Sequence, residues 1–415
     1  MIPNGALSRR RFLGAALAAG AALLAGCLPS SNEQSAAPSP SPTFPPAPSG
    51  SDAASPSPSP AATASTSPSQ AADVRRTIAG LLVIGFRGMT VGDIGPIADA
   101  ISRDGLGGVI LFDRDQTTGN PRNVMSAKQV RALTAGLRKL AGARPFIVAT
   151  DQEGGRVVRL APATGFPKMA SEASIGRLDD ETATSTWGRL IATTLASVGI
   201  NLNLAPVVDL DVNATNPAIG ALDRSFSADP AIVTKLALAE IRAHHESHVA
   251  TTLKHFPGLG SATANTDFGV ADVTRTWSRT ELEPFRAIIG AGAADAVMAG
   301  HVVNRTLDPD HPASLSPAVV TDLLRGELGW DGVVITDDLQ AAAITSSFGR
   351  DEAIALAIEA GNDLLLLANQ QGYDPDIAAR TIATIEELVS SGRIDLARLE
   401  ESHRRVDAML AGIAS

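Results

Sequence analysis

Leu253-Lys254-His255-Phe256-Pro257-Gly258-Leu259-Gly260-Ser261-Ala262-Thr263-Ala264-Asn265-Thr266-Asp267 is where this chain passes from an apolar run into concentrated chemistry. Residues 249–253 are β-branched and apolar and read as a buried strand. Lys254 and His255 fall where that strand should end, and Pro257, Gly258 and Gly260 forbid a helix directly afterwards. Asn265 and Asp267 follow in the loop. A lysine, a histidine and a carboxylate near the C-terminal end of one strand are the arrangement of a parallel α/β enzyme. A polar turn capping the next helix is the plainer alternative, and for Asn265 alone it is the better one.

The same texture extends to both sides of this stretch. Strands are expected at 80–86, 108–112, 145–150, 201–209, 249–253, 296–301, 333–336 and 363–367. Amphipathic helices are expected between and after them, at 126–140, 181–197, 230–245, 280–290, 316–328, 352–360, 375–390 and 396–410. Strands that are apolar at nearly every position are buried on both faces. Eight of them alternating with helices predict an α/β fold, a (β/α)8 TIM-like barrel forming a single catalytic domain over residues 73–415. An open doubly wound sheet would want a glycine-rich phosphate loop after its first strand, and Ile84-Gly85-Phe86-Arg87-Gly88 does not supply one.

The chain has 415 residues, 34 basic and 44 acidic, for a net charge of −10, with 44% hydrophobic residues. It is long enough to bury a large core. No basic stripe tracks a polyanion, so nucleic acid is not an expected partner. The single cysteine, Cys27, excludes an intrachain disulfide.

Its position has another explanation. Ser8-Arg9-Arg10-Arg11-Phe12-Leu13 is a twin-arginine signature, followed by an apolar run over 14–24 and the small-residue box Leu24-Ala25-Gly26-Cys27. Residues 1–26 are therefore expected to be a cleaved lipoprotein signal peptide, with Cys27 then lipidated. The apolar run is too short and too rich in Ala and Gly to read as a membrane span. Residues 27–72 are rich in Pro, Ser, Ala and Thr and read as a disordered linker. A flexible linker of that length reaches roughly 35–40 Å. The expected location is the outer face of the cell membrane, held by the lipid anchor only, facing the cell wall.

In a barrel enzyme the strand ends converge on one mouth. Strand three runs out into Asp151-Gln152-Glu153-Gly154-Gly155-Arg156, and strand four into Asp209 and Asp211, with Asp223-Arg224 in its loop. Strand six runs into His301, and strand seven into Thr336-Asp337-Asp338. Singly, each reads as a solvated turn. Together, faced by Arg224 and Lys254, they read as charges used in concert. His244-His245-Glu246-Ser247-His248 is one residue out of register for H-E-x-x-H and reads as a helix end. No metal and no cofactor are expected. Carboxylates paired with Arg and Lys suit neutral, hydroxyl-rich ligands such as sugars.

Lys254-His255-Phe256-Pro257-Gly258, Asp151-Gln152-Glu153-Gly154-Gly155-Arg156-Val157 and Ile335-Thr336-Asp337-Asp338-Leu339 resemble glycoside hydrolase family 3. The resemblance is strongest to single-barrel bacterial β-N-acetylhexosaminidases that trim GlcNAc from peptidoglycan fragments, and it runs from about residue 74 onward. It implies a two-step retaining mechanism through a covalent glycosyl-enzyme. By motif position it makes Asp337 the nucleophile, and Asp151, Arg224, Lys254 and His255 the residues that hold the sugar. Adjacent residues leaving a strand point to opposite sides, so only one of Asp337 and Asp338 is expected to face the axis. Lys254 and Arg224 are expected to keep it ionised.

One departure stands out. The single-domain group reads K-H-F-P-G-H-G after strand five and then D-S-H, whose histidine is the acid/base and whose aspartate orients it. Here Leu259 replaces the second histidine of the first motif, and Asn265-Thr266-Asp267 stands where D-S-H is expected. Asp267 is the candidate acid/base, steadied by Asn265 under a loop that closes through Gly258, Gly260 and Gly269. A loop cap at Asp267, or His255 serving easy leaving groups, are the alternatives. The expected function is a retaining exo-β-N-acetylglucosaminidase of cell-wall fragments. The alternatives are a catalytically impaired sugar-binding lipoprotein, or a β-glucosidase or phosphorylase of the same fold. A carboxylate at position 267 argues against phosphate as the attacking group.

Overall fold

The barrel strands are mostly apolar because both their faces are covered, and the polar exceptions, Asn203, Lys254 and His255 among them, are buried as well. In the computed structural model, which describes residues 68–414, all strand residues are buried. The strands are β1 (Leu82–Gly85), β2 (Gly108–Ile110), β3 (Ile147–Thr150), β4 (Leu202–Asn203), β5 (Ala250–Phe256), β6 (Ala296–Ala299), β7 (Val333–Thr336) and β8 (Leu365–Leu367). All pair in parallel, in the spatial order β7-β6-β5-β4-β3-β2-β1-β8. Gly85 sits where a Cβ would come within 1.9 Å of the Ala368 carbonyl oxygen, so only glycine lets β1 run this close to the end of β8.

The cylinder closes between β7 and β8 through one bridging pair, Ile335 with Leu364. The start of that seam is held by charge. Asp363 Oδ2 accepts from Val334 N at 2.9 Å and from Arg325 at 2.7 Å. Its Oδ1 accepts from Ser402 Oγ at 2.8 Å and lies 3.3 and 3.4 Å from the Arg398 and Arg405 guanidinium groups.

Helices clad the outside, and their starts follow from their sequences. Asp180 caps Glu181–Ser197 by accepting from Thr182 N and Ala183 N. Asp229 caps Pro230–His245, whose first residue is a proline. Ser126 caps Ala127–Ala141. The remaining expected helices appear as Glu283–Gly290, Ala318–Glu327, Arg350–Ala360, Ile377–Ser390 and Leu396–Ala414.

Three of the differences from the expected boundaries bear on the site or on the limits of the domain. β5 continues through Lys254 and His255 to Phe256, so these two residues belong to the strand. β4 is regular only over Leu202–Asn203, because Pro206 has no N–H for the ladder; the chain rejoins β5 at the Val207–Lys254 bridge. A first helix, Pro68–Ala79, begins inside the stretch expected to be linker, where Gln70, Ala71 and Ala72 favour helix. The signal peptide, Cys27 and most of the linker lie outside the described residues.

Candidate active site

The turn after β3 carries the first acids, and its path is tightly fixed. Gly154 and Gly155 have φ of 92° and 59°. A Cβ on Gly154 would fall 2.1 Å from the Ala170 carbonyl oxygen, so this corner admits no side chain. From β4, Asn203 clamps the turn: its Oδ1 accepts from Gln152 N at 3.0 Å and its Nδ2 donates to Gln152 O at 3.1 Å. Asp151 and Glu153 flank that clamp.

Glu153 is the hub of a buried ion network. Arg224 donates to both its oxygens, from Nε at 2.7 Å and from a terminal nitrogen at 2.8 Å, and Lys254 Nζ lies 2.7 Å away. Lys254 also donates to Asp151 Oδ1 at 3.0 Å, whose other oxygen is 3.3 Å from Arg159. Burial alone would raise the Glu153 carboxyl, but Arg224 and Lys254 outweigh it and hold the group well below the usual range. Asp151 is likewise pushed up by burial and pulled down further by Lys254 and Arg159. Burial works against the charge of Lys254, and Glu153 and Asp151 overcome it, so the ammonium stays protonated.

Lys254 and His255 both line the same cavity although they are neighbours on a strand. The β5–β6 register shifts between Leu253 and Phe256, and such an irregularity re-aims side chains. Asp209 fixes His255. Its Oδ2 lies 2.6 Å from His255 Nδ1 and 3.1 Å from His255 N, while its Oδ1 accepts from Leu259 N at 2.7 Å.

Asp337 and Asp338, just past β7, both line the cavity, which corrects the expectation that only one would. Their bonding separates them. Asp338 Oδ1 is taken up by the backbone, accepting from Gln340 N at 3.1 Å and Ala368 N at 2.9 Å. Burial lifts its pKa to about 7, against those bonds and with help from Asp337 and Asp267. Asp337 accepts only from Asp338 N, at 2.9 Å, among side-chain hydrogen bonds. Burial pushes Asp337 up; His301, His255, the Asp338 N–H and Lys254 together bring it below the usual range. Burial also lowers the pKa of His301, which spans Ser314 Oγ at 2.7 Å and the Asp338 carbonyl at 2.8 Å. A neutral His301 leaves the Asp338 N–H and Lys254 as steadier supports of the carboxylate near pH 7. Arg224, expected in that role, is instead engaged by Glu153.

Asp267 reaches the same cavity from the β5 loop. The residue is exposed overall, yet protein crowding its carboxyl raises the pKa, and Asp337 adds to the rise. Asn265 does not touch that carboxyl. Its Oδ1 accepts from Asp267 N at 2.9 Å, a local turn bond that competes for the amide and corrects the expected role. The loop is also pinned: Ala343 N donates to Thr266 O at 3.1 Å, and Gln371 Nε2 to Asp267 O at 2.9 Å. Gly258 and Gly260 are packed against Glu281 and the Leu210 backbone, so of the three expected hinges only Gly269 stands in open space.

The cavity measures about 450 Å³, inside the range of small-ligand sites. It gathers all six residues expected from the sequence: Asp151, Arg224, Lys254, His255, Asp267 and Asp337. The structure adds Arg159, which faces Asp151 from the same turn, and Gln370 past β8. It also gives Glu153 and Asp209, visible in the sequence only as strand-end acids, their roles as holders of Arg224, Lys254 and His255.

Comparison with known proteins agrees with this arrangement. Residues 72–409 match the family described as Glycosyl hydrolase family 3 N terminal domain. A beta-hexosaminidase of Stenotrophomonas maltophilia (strain K279a) is 36% identical over 288 residues, covering 68% of this chain and 82% of that protein. Among solved structures, a glycoside hydrolase family 3 beta-N-acetylglucosaminidase from Paenibacillus sp. str. FPU-7 superposes with a TM-score of 0.75 at 33% identity, over 82% of this chain and 62% of that one. Beta-N-acetylhexosaminidase from Beutenbergia cavernae DSM 12333 gives 0.71 at 34% identity, over 82% of this chain and 98% of that one.

Proposed function

Because the chain belongs to glycosyl hydrolase family 3 and is a glycosidase, we propose that it is a retaining exo-β-N-acetylglucosaminidase that removes terminal β-linked GlcNAc from peptidoglycan fragments. The observation that carries this reading is the pair of aspartates with opposed environments in one cavity. Asp337 is biased toward the anion and Asp267 toward the acid. Asp337 attacks the anomeric carbon and forms a glycosyl-enzyme as Asp267 protonates the departing oxygen. Asp267 then takes a proton from water, which attacks the same carbon and releases the sugar. Asp151, Arg159, Arg224, Lys254 and His255 orient the ring hydroxyls. The Glu153 network keeps the cations preorganised, so they need not reorganise when charge develops on the ring. The names of the relatives support the N-acetylhexosamine preference. Lipidation at Cys27 and export follow from the twin-arginine signature and the Leu24-Ala25-Gly26-Cys27 box, and they place the enzyme beside the cell wall.

The decisive experiment compares aryl β-GlcNAc with aryl β-glucoside on the wild type and on Asp337→Asn. The wild type is expected to prefer the β-GlcNAc substrate. The amide keeps the shape of the carboxylate and cannot attack, so turnover disappears while GlcNAc still binds. Unchanged hydrolysis by Asp337→Asn would sink the assignment, and a preference for the glucoside would move the enzyme to another substrate class.

A further inference from the structure

Behind the sugar-facing ions lies a second group of polar side chains that this chemistry does not use. Glu172, which opens the short helix Glu172–Gly176, and Glu240, on helix Pro230–His245, are 1% and 0% exposed. Glu172 Oε1 accepts from Val207 N at 3.0 Å. Its Oε2 and both carboxyl oxygens of Glu240 have no hydrogen-bond partner in the protein. One turn beyond Glu240, His244 donates from Nδ1 to the Glu240 carbonyl at 3.0 Å, and its Nε2 takes the Asn203 Nδ2 proton at 3.0 Å. That pattern requires the neutral ring, and burial holds the pKa of His244 down to about 4. Asn203 is the same residue that clamps Gln152 beside Glu153.

The local charges leave no counter-ion for these two acids. Arg159, Arg224 and Lys254 face Asp151 and Glu153 directly, and Lys254 also supports Asp337. Two further buried carboxylates would be unpaired and left with bare oxygens, a combination proteins avoid by keeping the proton. We propose that Glu172 and Glu240 are protonated positioning residues, a neutral layer beneath Glu153 that leaves Arg224 and Lys254 to Glu153 and so keeps both cations aimed at the sugar.

Burial raises both carboxyls; Glu240 and Glu153 add to the rise at Glu172, and Glu153 adds to it at Glu240. The opposing influences are the Val207 N–H and then Arg224 on Glu172, and Lys254 on Glu240. The neighbouring helix Glu181–Ser197 presents Gly188 to Glu240, while its Glu181 and Arg189 pair with Arg242 and Glu246 on the exposed side. When rising pH removes a proton from the layer, the new anion competes with Glu153 for Arg224 and Lys254, and the grip on the sugar loosens.

The inference rests on the reading of Arg224 and Lys254 as sugar-holding residues, and the test separates the two. GlcNAc binding is measured by calorimetry from pH 6.5 to 9.5 in the wild type and in Glu172→Gln/Glu240→Gln, whose layer is permanently neutral. Wild-type affinity should fall about ten-fold or more across the range, and that of the double variant less than about three-fold. Other groups titrate equally in both proteins, so parallel losses overturn the proposal. The second arm is the infrared spectrum of the free protein at pH 7. Protonated buried carboxyl bands should be present in the wild type and reduced in Glu240→Gln, which also serves if the double variant does not fold. Absence of that difference overturns the proposal whatever the binding shows. A wild type that fails to bind GlcNAc at pH 6.5 refutes the sugar reading instead, and the infrared arm still decides the state of the layer.

Discussion

Glu153→Ala should destabilise the barrel more than any substitution of a sugar-contacting residue. The Glu153 and Lys254 side chains are 1% and 2% exposed, and Arg224 is 13% exposed. Removing Glu153 takes the paired carboxylate from Arg224 and one of two from Lys254; Lys254 keeps Asp151, while Arg224 keeps only the Ala218 carbonyl at 2.7 Å and a 3.4 Å contact with His255. Breaking a buried pair from one side costs about 3–5 kcal/mol. Unfolding entropy near the midpoint is roughly 2.1 cal/mol/K per residue, or about 0.7 kcal/mol/K for the roughly 350 residues of the barrel. The expected fall in Tm is therefore about 4–7 °C. Differential scanning calorimetry measures it, and KM for aryl β-GlcNAc should rise in the same variant because both cations lose their aim. Glu153→Gln, which keeps the shape and one acceptor oxygen, should lose less. A Glu153→Ala midpoint within about a degree of wild type would show that solvent reaches these cations and that the network does not bear on stability.

Asp267→Ala should lose most activity on an aryl glycoside with a poor leaving group, little on an activated one, and regain turnover with azide; equal, minor effects on both would remove Asp267 from the acid/base role. Glu281, buried and facing Ser261 N, is raised by desolvation to about 7 from an ordinary value of 4.5. A folded pKa above the unfolded one means stability that is complete below pH 4.5 and lost as pH rises through 7, about 3 kcal/mol for this group alone. The wild-type Tm should drop between pH 5 and 8.5 and Glu281→Gln should flatten the drop, whereas identical slopes would refute the assignment. Cys27→Ser should release the protein from membranes in soluble form, and retention after a salt wash would count against lipidation.

The barrel was legible because its strands are unbroken apolar runs, and runs such as 333–336 can be buried only from both sides. The sugar-facing residues were legible for the related reason that Asp151, Lys254 and Asp337 interrupt those runs where strands end. What could not be read depended on contacts between distant segments. Nothing near Asp337 in the sequence announces that Lys254 supports it while Arg224 is held by Glu153. The shortening of β4 needed the missing N–H of Pro206 to be weighed against an otherwise strand-like stretch. Asn265 looked like a partner for the Asp267 carboxyl, but a side chain two residues away bonds a backbone amide more readily. Glu240 did leave a trace, as an acid among Leu236, Ala237, Ala239 and Ile241 on the buried side of its helix. Only the fold shows that Glu172 and Glu153 lie near it.

The joint between β7 and β8 bears on how this enzyme fails. A single bridging pair joins the two strands; Asp363 and its arginines hold the start of the seam, and isolated bonds such as Leu339 N to Leu366 O and Ala368 N to Asp338 Oδ1 hold the end where Asp337 and Asp338 stand. Proteins open locally where the ladder is thinnest, at free energies below that of global unfolding. Amide hydrogen exchange should thus be faster at Thr336 and Leu364 than in the β1–β2–β3 ladder. Breathing at the seam moves the nucleophile first, so on heating the reaction stops while the rest of the cylinder is still folded.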